Sequence, residues 1–294
     1  MSTELNYIPV RLSNNHNIAS PLRYPGGKSV LSAFVTAAID YVGCSEGAYV
    51  EPYSGGAGVG LRLLLEGAVS SIVINDYDPA VYAFWNSAVN HTDRFLQLLD
   101  SSELTLSEWN HQREVFKNPE SELELGFAFF YLNRTCRSGV VNGGVIGGKS
   151  QSGKYKLDAR FNKAALRRKL QVIGSARESI EVSCLDGVSV IEQNASSKKT
   201  FLYVDPPYVE KGGYLYMNHF QRSDHVALAS ALLANRQANW LLTYDDTPLI
   251  RGLYKDAVAG NYNLGYSAHR RKTASELMIA SDSVSSFVIE QSEE

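Results

Sequence analysis

The apolar run Phe201-Leu202-Tyr203-Val204 ends abruptly on Asp205-Pro206-Pro207-Tyr208. Four consecutive apolar residues read as a strand buried on both faces, which requires a layered α/β structure around it. The two prolines lack an N–H, so the ladder stops and the chain turns out of the sheet there. The turn leaves a carboxylate, the bare carbonyl of Pro206 and an aromatic ring at the strand's carboxyl end, where open α/β sheets place their ligands. An acid, a carbonyl and a stacking ring are the groups needed to hold a flat base by its amino group.

The rest of the pattern agrees with an α/β chain. Ala48–Tyr53 reads as a short strand running into the glycine loop Ser54-Gly55-Gly56-Ala57-Gly58, with a helix from about Val59 to Glu66. Ser71–Asp76 is the next strand, and Asp78-Pro79 reads as a helix cap followed by proline at the first helical position. From about Phe84 to Ser179 the alternation stops, and helical patterns cover Leu106–Lys117, Leu123–Cys136 and Ala164–Ile173. It resumes with a strand at Ile180–Leu185, the strand before Asp205, a helix opened by Ser223-Asp224, a strand at Asn239–Tyr244 and a helix capped by Asp246-Thr247. Glu276–Ser281 and Ser285–Glu290 read as a closing hairpin, and residues 1–20 as a loose arm. The expected organisation is a catalytic domain of residues 1–85 and 180–294 interrupted by an inserted, mostly helical domain at 86–179.

A glycine loop between a first strand and its helix lets backbone approach a ligand closely. Gly56, Gly58 and Gly60 do not keep the Gly-x-Gly-x-x-Gly spacing of a dinucleotide site. Asp76, about 20 residues on at the next strand end, suits a ribose diol. Upstream, Arg23-Tyr24-Pro25-Gly26-Gly27-Lys28 sets an aromatic, a tight turn and a lysine ahead of the first helix.

Charge is unevenly distributed. The chain of 294 residues carries a net −3, yet Arg134 to Lys169 holds ten basic residues against the single acid Asp158. Such asymmetry is the footprint of a phosphate-facing element, and a solvated helix face gives the same pattern. No apolar run approaches the roughly 20 residues that cross a bilayer, and Met1–Asn17 has no signal-peptide core, so a cytoplasmic, non-membrane protein is expected. Cys44, Cys136 and Cys184 are widely spaced and suit reduced thiols.

Taken together and in this order, these motifs resemble the adenine-specific DNA methyltransferases, in particular the DNA adenine methylase (Dam) family, over most of the chain. The resemblance implies a Rossmann-like sheet binding S-adenosylmethionine (AdoMet), an inserted target-recognition domain and a double-stranded DNA substrate. It implies that Tyr24 and Lys28 line the AdoMet pocket and that Glu51, Tyr53, Ser54, Gly55, Gly56 and Gly58 lie against the cofactor. Asp76 would take the ribose hydroxyls. Asp186 matches the family's acid for the cofactor's adenine amine, and reads equally well as a plain helix N-cap.

The chemistry follows from the amine. The lone pair of an adenine amino group is delocalised into the ring, and an acceptor on each N–H frees it. Asp205 and the Pro206 carbonyl take those roles, Pro207 holds the turn, and Tyr208 would stack on the base, worth about 1–3 kcal/mol. The positive charge of the sulfonium methyl is consumed in the transfer, so no metal is expected. The base is flipped out of the duplex to be reached.

Within the insertion, Tyr131-Leu132-Asn133-Arg134 resembles the family's segment at the base of a DNA-contacting hairpin. Beyond Arg137-Ser138-Gly139 the likeness ends, and the family's GATC target is not carried over. Arg134, Arg137, Asn142, Lys149 and Lys154 are candidates for phosphate or base contacts. Arg270 and Arg271 are further candidates, or a solvated turn. His219, Asp224 and His225 read as core or cap rather than metal ligands. The family's settings include restriction–modification beside a partner endonuclease; phage and solitary modification enzymes are others. Rival readings are a methyltransferase for RNA or protein amide, a catalytically silent DNA-binding protein, and a dehydrogenase.

Overall fold

A computed structural model describes residues 4–10, 12–13, 20–23, 28–209, 220–266 and 272–293. Eight strands form one sheet: β1 (Glu4–Leu5), β2 (Ala48–Glu51), β3 (Ser71–Asn75), β4 (Ile180–Ser183), β5 (Thr200–Val204), β6 (Asn239–Asp245), β7 (Val258–Tyr266) and β8 (Lys272–Ala280). Their order is β1-β7-β8-β6-β5-β2-β3-β4. Only β8 runs antiparallel to its two neighbours, β6 and β7.

The described helices are α1 (Ser32–Tyr41), α2 (Gly58–Leu65), α3 (Pro79–Asn90), α4 (Thr92–Ser101), α5 (Leu106–Lys117), α6 (Glu122–Thr135), α7 (Lys163–Ser175), α8 (Gly187–Asn194), α9 (Arg222–Ala234), α10 (Pro248–Leu253) and α11 (Asp282–Glu293). Among the described residues, no helix is long and apolar enough to cross a membrane.

The sheet has an apolar core on each face. Tyr49, Phe201, Tyr203, Leu241 and Met278 face one cluster, together with residues of α1, α2, α3 and the helices after it. Val50, Leu202, Val204, Leu242 and Ile279 face the other, against α8 and α9. Successive residues of β5 therefore point to opposite cores, and every one must be apolar, which is why the run before Asp205 shows no alternation.

Between β3 and β4 the chain is helical. The N-caps are local: Asp78 accepts from Ala80 N, Thr105 from Glu108 N, Ser121 from Glu124 N and Asn162 from Ala165 N. Helix α6 lies so close to α3 that a Cβ on Gly126 would sit 2.5 Å from the Ala83 carbonyl oxygen. Phe84, Phe95, Phe127, Phe130 and Phe161 interlock there, with ring centroids 5.5–5.6 Å apart in five of the pairs. Each such ring removed from water contributes about 1.5–3 kcal/mol.

Several sequence expectations are corrected. Glu276–Ser281 is a strand, but its hairpin partner is β7, upstream, and Ser285–Glu290 belongs to helix α11. Val284, Phe287 and Val288 are the buried side chains of that helix, a helical spacing rather than an alternating one. The cap of α10 is Thr247, which accepts from Ile250 N, while Asp246 pairs with Arg251. Gln221 caps α9, with Asp224 three residues on completing a capping box. The N-terminal arm contributes β1 at the sheet edge, parallel to β7.

Candidate active site

The order of the sheet places the site. From β2 the chain proceeds to β3 and β4 on one side, then returns to β5 and β6 on the other. The switch point lies between β2 and β5, which pair in parallel with Val50 opposite Leu202. A crevice opens at such a point, outside the strands' carboxyl ends. The glycine loop leaves one of those ends and Asp205–Tyr208 leaves the other, so residues 150 positions apart in sequence share one cleft.

Lys28 enters the cleft from the segment ahead of α1. Its Nζ is 2.7 Å from Glu276 Oε2 and 3.4 Å from Asp205 Oδ1. It also donates to Tyr208 Oη and sits 4.9 Å from the centroid of that ring. Glu276 Oε2 accepts as well from Tyr208 Oη at 2.8 Å and from Tyr262 Oη at 2.7 Å. Thr243 Oγ1 donates to Asp205 Oδ1 at 2.8 Å. The result is a buried network with one ammonium between two carboxylates.

The carboxylates are shaped by burial. Burial raises the Asp205 pKa, the Lys28 ammonium opposes that rise, and Glu276 adds to it. The Asp205 side chain nonetheless keeps 24% of its surface exposed, so it faces the cleft rather than the core. Among the described residues no donor is paired with the Pro206 carbonyl oxygen. Asp245, at the end of β6, accepts from Val209 N at 3.1 Å and so anchors the backbone that follows Tyr208.

On the β2 side, Glu51 is 5% exposed, accepts from Tyr49 Oη and Gly60 N at 3.0 Å each, and is pushed up to about 7 by burial. Gly55 and Ala57 hold positive φ of 46° and 45°, the left-handed turn that opens α2. Asp76 fixes this loop: its Oδ2 accepts from Gly55 N at 2.9 Å and its Oδ1 from Asp78 N at 3.0 Å. Burial lifts Asp76 to about 6. Gly58 and Gly60 answer a packing need, because a Cβ on either would stand 3.1 Å from Ser29 or the Tyr49 ring. Tyr53 lies against the start of α8, where a Cβ on Gly187 would meet its ring at 2.3 Å. Asp186 caps that helix, accepting from Val188 N at 2.9 Å.

This side of the cleft suits a polar ligand. Among the described residues, Glu51 Oε2, Tyr53 Oη and Ser54 Oγ are buried and meet no hydrogen-bond partner. Buried polar atoms are rarely left so, and three of them along one loop fit a cofactor that supplies the missing partners.

The structure thus brings together Lys28, Glu51, Tyr53, Ser54, the glycine loop, Asp76, Asp186 and Asp205–Tyr208. Glu276, Thr243 and Tyr262 were not anticipated as site residues. Glu276 lies within β8, just before its apolar end, and its partner Lys28 is 248 residues away, so no spacing signals the pair. Tyr24, Arg270 and Arg271 lie outside the described residues. In the inserted region Arg137, Asn142, Lys149 and Lys154 are exposed, while Arg134 is half-buried and donates to the carbonyls of Arg160 and Pro21. His225 is buried and bonded to Tyr244 Oη, a core histidine.

The chain is 24% identical over 173 residues to a Type II methyltransferase, M.MjaIII, of Methanocaldococcus jannaschii, a match covering 54% of this chain and 58% of that protein. It also aligns with the rRNA methyltransferase aviRa from Streptomyces viridochromogenes at 13% identity and a TM-score of 0.37, over 89% of this chain and 88% of the other. Residues 24–275 match the family described as D12 class N6 adenine-specific DNA methyltransferase, and the chain belongs to that family.

Proposed function

We propose that this chain transfers a methyl group from AdoMet to the N6 amino group of an adenine flipped out of double-stranded DNA. The observation that carries the reading is Asp205: a carboxylate at the switch point, steadied by Thr243 and Lys28, one residue before the Pro206 carbonyl.

Glu51, Tyr53, Ser54, Gly55, Asp76 and Asp186 would hold AdoMet, which supplies an electrophilic methyl on a sulfonium. The protein's part is acceptance and alignment. Asp205 and the Pro206 carbonyl would each take one N–H of the amine and free its lone pair. Asp205 is then the nearest base for the proton that the nitrogen must lose. Lys28 favours the ionised form of Asp205 against the cost of burial, and an ionised Asp205 is the form that accepts. The Tyr208 ring would cover the base. Holding the amine within about 3–3.5 Å of the methyl is a large part of such catalysis.

The helices between β3 and β4, with the exposed Arg137, Asn142, Lys149 and Lys154, would form the target-recognition domain at 86–179. A cytoplasmic place of work and a partner restriction endonuclease belong to the same reading. Purified protein, AdoMet and unmethylated genomic DNA, read by methylation-sensitive long-read sequencing, test the proposal. N6-methyladenine at a recurring short motif supports it; no transfer, with AdoMet bound, overturns it.

A further inference from the structure

A second group of charges lies outside the catalytic cleft, where the segment Ser20–Arg23 rests on the end of α6. Asn133, 1% exposed, fastens the segment: its Oδ1 accepts from Arg23 N at 2.8 Å and its Nδ2 donates to Arg23 O at 2.9 Å. Gly139, at φ +78°, lies so near that a Cβ there would stand 2.1 Å from the same carbonyl oxygen. Arg23 is therefore held on the inserted region, five residues before Lys28.

Around it the cations are bound to backbone carbonyls. Arg23 Nη1 donates to Cys136 O at 3.2 Å, and Arg134 donates from Nε to Arg160 O at 2.7 Å and from Nη1 to Pro21 O at 3.4 Å. Lys169 Nζ donates to Ser20 O at 3.1 Å. The three arginines repel one another: burial and then Arg160 lower Arg23, and burial, Arg23 and Arg160 bring Arg134 down to about 10. Among the described residues none of Arg23, Arg134 and Arg160 forms an ion pair with a carboxylate. Arg160 is exposed, and its guanidinium lies 5.9 Å from the Tyr155 ring, which Lys154 approaches at 5.7 Å.

Like charges held together by neutral carbonyls raise the energy of the free protein and create a seat for an anion. Guanidinium forks match phosphate oxygens in pairs. We infer that Arg23, Arg134 and Arg160 seat one backbone phosphate of the DNA substrate, on the chain segment that also delivers Lys28. The inference rests on the proposed DNA substrate. It assigns Arg23 and Arg160 a positioning role that fixes the duplex while leaving its sequence unread.

Arg160→Gln is the decisive variant, because among the described residues its guanidinium pairs with no carboxylate and its carbonyl still receives Arg134. Binding of the full chain to a fluorescent duplex of arbitrary sequence is measured by anisotropy across 50–250 mM NaCl, beside melting temperature and the methylated motif. Expected is a log K against log[salt] slope shallower by about 0.9, weaker binding on every sequence, an unchanged motif and unchanged melting. Arg23→Gln should repeat this. An unchanged slope overturns the phosphate seat. So does a motif relaxed at one position with the slope intact, which marks a base-reading arginine. A wild-type chain that binds duplex but methylates no DNA overturns the functional reading and leaves the seat standing, whereas absence of duplex binding overturns both.

Discussion

Lys28 Nζ lies 2.7 Å from Glu276 Oε2, both side chains at most 3% exposed and 248 residues apart in sequence. A buried ion pair is costly to make and costlier to break, because removal of one partner strands the other charge. Glu276 also receives Tyr208 and Tyr262, so it fixes the lysine and the base-facing tyrosine together. Glu276→Ala should therefore destabilise the protein by about 3–5 kcal/mol. Chemical denaturation checks this; a loss below 1 kcal/mol would show that the pair does not hold the cleft together.

The lysine has a second duty, to the acid beside it. Its ammonium pulls the Asp205 pKa down by more than Glu276 pushes it up, against the larger effect of burial. With Lys28→Met and Glu276→Gln combined, Glu276 is not left as a stranded charge and Asp205 loses its net support. The pKa of Asp205 should then rise. Since the ionised form accepts the amine, the acidic limb of kcat should move to higher pH. The pH–rate profile is the check, and a limb that stays in place would remove Lys28 from this role.

Asp205→Asn keeps the shape of the site and removes the charge. Loss of one preorganised electrostatic contact in an enclosed site costs about 10²–10³ in rate. Methyl transfer should fall by at least that much while DNA affinity changes less than about threefold. Equal loss of both would make Asp205 a structural residue.

Glu51 links the fold to pH. Its ordinary pKa of 4.5 rises to about 7 on burial, so the folded state binds the proton more tightly than the unfolded chain. That contribution is fully present below pH 4.5 and is lost as pH climbs through 7. It amounts to something on the order of 3 kcal/mol. Glu51→Gln, which can still accept from Tyr49 and Gly60, should match the wild type at pH 5 and be more stable at pH 8. Thermal melts across this range test it, and parallel curves would refute it.

What could be read from the residues was local. Strand β5 and its stop at Pro206 were legible because both faces are buried and proline ends a ladder. Helices α5–α7, between β3 and β4, were legible from their helical patterns. Helix α4 was not, because it follows α3 through His91, which offers no side-chain cap. Strand β7 carries Gly260 and Gly265 and no clean alternation, and is set by its pairing with β8. The cleft was half legible: the loop and Asp205 carry spacing signals, whereas Glu276, Thr243 and Tyr262 join it only through the order of the sheet.

The central claim concerns one nitrogen atom. Duplex DNA lacking methylation, incubated with AdoMet and either wild type or Asp205→Asn, can be digested to nucleosides and analysed by mass spectrometry. The account predicts N6-methyldeoxyadenosine as the product with wild type and its near absence with the variant. Methylation on cytosine, or an equal adenine product from both proteins, would contradict it.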